Sequence, residues 1–258
     1  LGTPLAVTSS GGLTARHLAE RHGIGHVSPD VASLLAIEGI RTVFVLSRHD
    51  SHAQIAAQAL RAGKHVFVEK PLALTDDELD DVLDAARTTG SQVWVGFNRR
   101  HSEAVRRTRE ALGRSGEPLV LTYRVNAGRL PETHWYKDRR QGGRLLGEVC
   151  HFIDLCSWIV GVPVRQVSAF SGGSAELALG EDLVVSLAYE DGSIATITYA
   201  EHGHAAAPKE RLDILGRGHA VVIDDFHSLT IDGKSVRLHE PGKGHEANLR
   251  AFGESVRR

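Results

Sequence analysis

Apolar positions recur in two rhythms along this chain, and the rhythm changes near residue 100. Before that point, short β-rich runs alternate with stretches whose apolar residues lie three and four apart. Residues 5–9, 42–46, 65–69 and 92–97 read as strands. RTVFVLS and HVFVE are near-continuous apolar runs, the pattern of parallel strands buried on both faces. Residues 13–22, 31–37, 51–62 and 75–89 read as helices. Ala15, Leu18 and Ala19 share a face of the first, Gly63 ends the third, and Thr75 with Glu78 opens the fourth as a capping box. Strands and helices in this order predict a parallel sheet with right-handed crossovers.

Beyond residue 100 the pattern becomes mostly strand. Residues 102–113 (with RRTREALGR) predict a basic helix that serves as a solvated connector, 119–126 alternate as a strand, and 147–160 form a helix. RQVSAF, DLVVSLAY, SIATITYA, RLDILG, AVVIDD and SLTIDG then follow as strands, with Asp191-Gly192 and Asp232-Gly233 as hairpin turns. A last helix runs from 245 to 258. The expected architecture is α/β followed by α+β: a Rossmann-like parallel-sheet domain over 1–100, then a large open antiparallel sheet over 101–258 with helices on one face.

Composition narrows the class. With 258 residues, 41% hydrophobic and 24% charged, the chain is of ordinary globular make-up. A formal net charge of −2 provides no field for nucleic acid or an anionic membrane. No apolar run approaches the roughly 18 residues of a spanning helix. The chain opens on the strand-like LAVTSS, so no signal peptide is expected, and Cys150 and Cys156, both on one predicted helix, point to different sides and do not bridge. Both features predict a reducing, cytoplasmic setting. The chain starts at Leu1 and holds no methionine, which reads as part of a longer polypeptide.

Four segments carry candidate chemistry. Glu69-Lys70-Pro71 closes a buried strand at its carboxyl end, where ligands of open parallel sheets bind. Pro71 ends the strand, and Lys70 is either a hydrogen-bond and proton donor to a ligand oxygen or half of a surface ion pair. In GGRLLGEVCHFIDL, residues 142–155, the helical spacing sets Glu148, His151 and Asp154 along one face. That face suits proton transfer at His151 with flanking carboxylates, or a histidine satisfied by its neighbours; no second cluster of ligand spacing supports a metal. LSRHDSHAQ, residues 46–54, places Ser47, Arg48 and His52 where a helix starts after a strand, a position that favours an anionic group or simple capping by Asp50 or Ser51. VTSSGG, residues 7–12, ends the first visible strand.

Together these segments resemble the glucose–fructose oxidoreductase and inositol dehydrogenase family, Gfo/Idh/MocA. AGKHVFVEKPLALT matches its most specific motif, and GGRLLGEVCHFIDL looks like its catalytic helix. RHDSHA, VGFNRRHS, YRVNAGRLP with His134-Trp135, GEVCHFIDL and PKERLDILG resemble, more narrowly, the subgroup fused behind a zinc alcohol dehydrogenase-like domain. The resemblance runs over essentially the whole chain. It implies hydride transfer between NAD or NADP and a hydroxyl-bearing carbon of a sugar or cyclitol.

By that resemblance, His151 takes or returns the hydroxyl proton, Lys70 hydrogen-bonds the same oxygen, and Asp154 orients. Gly147 stands where many members carry an aspartate, so Glu148, one place later, is expected to replace it. Ser9, Ser10, Ser47, Arg48, His52, Glu69, Lys70, Pro71 and Asn98 are the expected cofactor contacts. Arg99, Trp135 and Tyr136 are expected to line the substrate pocket. Ser9 and Ser10, without an acidic residue, tolerate a 2′-phosphate, with Arg16 as its nearest partner. The family's first strand and glycine-rich turn have no counterpart in this sequence. Transient-NAD enzymes of this fold (epimerases, eliminases, glycosidases) and a catalytically idle partner subunit are the alternative readings. Relatives pair through the second-domain sheet, which predicts a homodimer or homotetramer.

Overall fold

The computed structural model describes residues 2–113, 116–131, 133–172 and 182–257. They fall into two compact units, Leu1–Gly96 with Leu249–Arg258, and Phe97–Asn248.

The first unit is built from parallel strands. β1 (Ala6–Val7) is followed by α1 (Leu13–His22) and pairs with β2 (His26–Val27). α2 (Val31–Leu35) starts at Asp30, whose carboxylate accepts the Ser33 N–H at 2.7 Å. β3 (Thr42–Val45), α3 (His52–Arg61), β4 (His65–Val68), α4 (Asp76–Thr89) and β5 (Val93–Val95) follow, and the strands form a parallel sheet in the order β3-β4-β5. Ala53, Ala56, Ala57 and Leu60 of α3 pack with Val43, Val45, Val66 and Val68, so short side chains bring this helix close against the sheet.

Three expectations change here. β1 is shorter than 5–9, and β2 was not foreseen: it is two residues long, too short to show a run or an alternation of apolar positions. β3 is not buried on both faces: Val43 and Val45 face the core, while Phe44 is 41% exposed. The capping box at α4 is shifted by one position. Thr75 Oγ1 accepts the Glu78 N–H at 3.2 Å, but Glu78 reaches back to the Leu74 N–H at 2.7 Å.

The second unit begins with α5 (Glu103–Leu112), β6 (Leu119–Asn126) and α6 (Cys150–Val160). β7 (Val164–Gly172), β8 (Asp182–Tyr189), β9 (Ile194–Ala200), β10 (Glu210–Gly216), β11 (His219–Asp224), β12 (Ser228–Ile231) and β13 (Lys234–Val236) follow. α7 (His245–Ser255) ends the described elements, and from Leu249 its residues belong to the first unit. There Phe252 packs against Phe44, Phe67 and Trp94.

The eight strands order as β13-β12-β11-β10-β6-β9-β8-β7. All neighbours are antiparallel except β6 and β9, so the expected antiparallel sheet is mixed. Asp232 and Gly233 both take positive φ (51° and 73°), the requirement of the two-residue turn that joins β12 to β13. One sheet face is covered: Leu119, Leu121, Ile197, Leu212 and Ile214 pack with Phe152, Leu155 and Ile159 of α6. The same core includes Ala104, Val105 and Leu112, so α5 is not a solvated connector; Arg106 and Arg107 form its outer side, while Arg109 lies over the Trp158 ring of α6.

Candidate active site

In the first unit the candidate residues gather at the carboxyl ends of β3, β4 and β5. The Lys70–Pro71 peptide is cis. On one side of this turn, the Glu69 carboxylate lies over the backbone of Gly96; a Cβ at position 96 would stand 3.0 Å from its Oε2, so a larger residue there would push the carboxylate aside. On the other side, the fully buried His52 ring bridges two carbonyls, with Nδ1 2.8 Å from Pro71 O and Nε2 2.9 Å from Ser47 O. His52 therefore braces the turn that carries Lys70 against the end of β3. Ser51 Oγ donates to Arg48 O at 2.8 Å, which leaves Ser47 Oγ as donor in its 2.7 Å contact with Ser51 Oγ. The serine at the start of α3 is thus spent on the preceding loop and makes no side-chain cap to the helix.

At the end of β1 an open groove of about 630 Å³ is lined by Ser9, Ser10, Gly11, Gly12, Arg16 and Ser28, with no carboxylate among its lining residues. Hydroxyls and a guanidinium suit a ribose and a phosphate. Ser9 Oγ also accepts the Ala15 N–H at 3.2 Å, which ties the groove to the first turn of α1.

In the second unit the backbone ahead of α6 is not regular helix. Leu145–Val149 forms a π-helical turn, and α6 starts at Cys150 rather than near 147. Such turns often mark functional positions. His151 is buried, with the Phe97 ring edge-on at 6.0 Å. Asp154 receives both donors of an Arg100 fork, one of them at 2.7 Å. Burial raises the Asp154 pKa and outweighs the opposing pull of Arg100. Glu148 accepts the Tyr199 hydroxyl. Each carboxylate expected beside His151 thus holds a strong donor from another element. Trp135 and Tyr136 share a short 3₁₀ turn, with their rings 4.3 Å apart, and the Tyr136 hydroxyl reaches Gly147 O at 3.5 Å.

Asn98 and Arg99 face inward. The Asn98 amide donates to Lys243 O at 2.7 Å. Gly244, at φ 79°, lets that segment approach: a Cβ would come within 2.5 Å of Ser102 N. Arg99 makes a fork on Glu210 at 2.8 and 2.7 Å and lies over the Phe152 ring. Glu210 also accepts from the Tyr123 hydroxyl at 2.7 Å and from Lys243 Nζ at 2.6 Å. The guanidinium expected at the substrate is committed to a buried charge cluster, and the amide expected at the cofactor is committed to a backbone carbonyl.

Sequence reasoning missed Glu210, Arg100, Arg144, Tyr199 and Glu201. A signal for two of them existed: Glu210 and Tyr199 stand on the same strand parity as the apolar residues around them. Among the described residues, no group of three or more His, Cys, Asp or Glu is arranged to hold a metal, and no helix is long and apolar enough to cross a membrane.

Two family models match in tandem. Residues 3–97 match the oxidoreductase family with an NAD-binding Rossmann fold, and residues 105–221 match the GFO/IDH/MocA C-terminal domain. The chain belongs to the GFO/IDH/MocA oxidoreductase family. It is 27% identical over 247 residues to the uncharacterized oxidoreductase YrbE of Bacillus subtilis, which covers 92% of this chain and 71% of the relative. It is 25% identical over 225 residues to the myo-inositol 2-dehydrogenase of Thermotoga maritima, over 84% of this chain and 66% of that enzyme. Among solved structures, UDP-N-acetylglucosamine 3-dehydrogenase GnnA of Acidithiobacillus ferrooxidans aligns with a TM-score of 0.84 at 19% identity, over 98% of this chain and 80% of that one.

Proposed function

We propose that this family member is an NAD(P)-dependent oxidoreductase that moves hydride between the nicotinamide and a hydroxyl-bearing carbon of a sugar, nucleotide sugar or cyclitol. The observation that carries the reading is the Glu69–Pro71 turn at the carboxyl end of β4, braced by His52 on one side and seated on Gly96 on the other. Ligands of open parallel sheets bind at that edge. When bound, the nicotinamide supplies the hydride acceptor. His151 takes the alcohol proton on oxidation and returns it on reduction. Lys70 donates a hydrogen bond to the reacting oxygen and favours its deprotonation. Glu148 accepts a substrate hydroxyl, and Trp135 and Tyr136 wall the substrate. Asp154, held by Arg100, orients the helix rather than reacting.

The groove at Ser9, Ser10 and Arg16 receives the adenosine ribose in this reading, with room for a 2′-phosphate. The family description names NAD, and the matched relatives include an inositol and a nucleotide-sugar dehydrogenase. The motifs RHDSHA, VGFNRRHS and PKERLDILG support membership of the subgroup fused to zinc alcohol dehydrogenase-like domains, and in this reading the enzyme acts in the cytoplasm. The uncovered sheet face, with Leu215, Val120 and Ile194 in one row, suits pairing of two copies.

The test is to incubate the full-length protein with NAD or NADP and, in turn, myo-inositol, D-glucose and UDP-N-acetylglucosamine, and to follow reduced nicotinamide. Accumulation with one of them supports net dehydrogenation. Conversion of substrate without accumulation points to transient oxidation, and no conversion of any by protein that binds cofactor rejects this substrate class.

A further inference from the structure

Arg144 stands where three parts of the second unit meet. It is buried, and it immediately precedes the π-helical turn Leu145–Val149. Its Nη1 donates to the Tyr199 hydroxyl at 2.5 Å, and its Nη2 donates to Gly128 O at 2.8 Å. The Tyr199 hydroxyl in turn donates a hydrogen bond to Glu148. Glu148 and Glu201 each stand 3.6 Å from the guanidinium, and Glu201 also accepts the Leu130 N–H at 3.3 Å. One buried cation therefore grips the start of the loop that leads to Trp135 and Tyr136. Through a phenol, it also grips the turn that leads to His151.

The direction of the relay is fixed by proton count. A guanidinium can only donate, so the phenol oxygen accepts from Arg144 and spends its single proton on the carboxylate. Burial, reinforced by the nearby Glu148 charge, raises the Tyr199 pKa well above that of an ordinary phenol, so the donor persists at every working pH. Tyr199 rises from β9 on the covered face, beside Ala195 and Ile197, so the reference point of the relay is the sheet itself. Glu148 keeps its second oxygen, Oε1, toward Lys209 Nζ at 3.9 Å, half-buried and able to accept a hydroxyl.

We propose that Arg144 is a positioning residue: through Tyr199 it fixes the Glu148 carboxylate, and it couples the loop bearing Trp135 and Tyr136 to the turn ahead of His151, so that recognition of polyol hydroxyls depends on it. The kinetic part rests on the oxidoreductase reading above; the structural part does not. The test compares wild type with Tyr199→Phe, which removes one oxygen and keeps the ring, and with Arg144→Lys, which keeps the charge and loses the fork. The first is the variant to rely on if the second fails to fold.

Amide hydrogen exchange at 128–130 and 145–149 is expected to speed up about tenfold in both, with α5 unchanged. With the first of myo-inositol, D-glucose or UDP-N-acetylglucosamine that wild type oxidises, KM is expected to rise about tenfold, while kcat falls less and NADH affinity stays within about twofold. Unchanged exchange, or a KM that moves only in step with NADH affinity, would overturn the proposal. If wild type oxidises none of the three, the kinetic half fails together with the substrate class proposed above, and exchange alone decides whether Arg144 positions the turn.

Discussion

Glu210 carries a charge on a strand parity otherwise held by Leu212 and Ile214, and it is 1% exposed. Burial alone would push its carboxyl upward, but the Arg99 fork and Lys243 outweigh that and hold it down at about 2. A folded value below the ordinary 4.5 means that the stabilisation is fully present above pH 4.5 and is lost as pH falls toward 2. The expected contribution is on the order of 3 kcal/mol. Glu210→Gln leaves Arg99 buried opposite a neutral group and should cost about 3–5 kcal/mol at neutral pH. Urea unfolding of both proteins should show that gap narrowing between pH 4.5 and 2; a variant as stable as wild type at neutral pH would refute the role. At this scale the sequence was partly legible. The Glu69-Lys70-Pro71 turn and His151 stand out by motif and setting. The partners of Asp154, Arg99 and Glu148 do not, because they come from segments distant along the chain and only the tertiary fold brings them together.

Among the elements, α5 best separates what composition suggests from what packing requires. RRTREALGR is rich in arginine, yet Ala104, Val105, Thr108 and Leu112 are all buried. The charged residues marked the outer face and concealed the apolar stripe at helical spacing. Leu112→Ala is expected to cost about 2–5 kcal/mol, whereas Arg106→Ala on the exposed side should stay within about 0.5 kcal/mol. Thermal unfolding checks both; equal small effects would restore the connector reading. The π-helical turn at Leu145–Val149 was beyond pattern reasoning, since a helix of either kind shows the same apolar spacing over so few residues. Hairpins fared better, because Asp232-Gly233 states its backbone requirement in its residues.

At the scale of the molecule, the alternation of strands and helices in the first unit, and the run of strands in the second, were both readable from periodicity. The parallel pairing of β6 with β9 was not, because register between distant strands leaves no local trace. The open sheet face sets Leu215, Val120 and Ile194 side by side at 58%, 53% and 48% exposure. Light scattering is expected to give a dimer or tetramer for wild type and a monomer for the Ile194→Lys, Leu215→Lys double variant. A monomeric wild type would rule the pairing face out.

The central claim is that the turn carrying Lys70 serves a nicotinamide cofactor, and fluorescence titration of the full-length protein with NADH and with NADPH tests it most directly. Saturable binding of at least one is expected, weakened about tenfold or more by Lys70→Ala and little changed by His151→Ala, with turnover of an accepted polyol falling about 10²–10⁴-fold in the histidine variant. A folded, full-length protein that binds neither nucleotide would contradict the claim and bring forward the reading of an idle partner subunit.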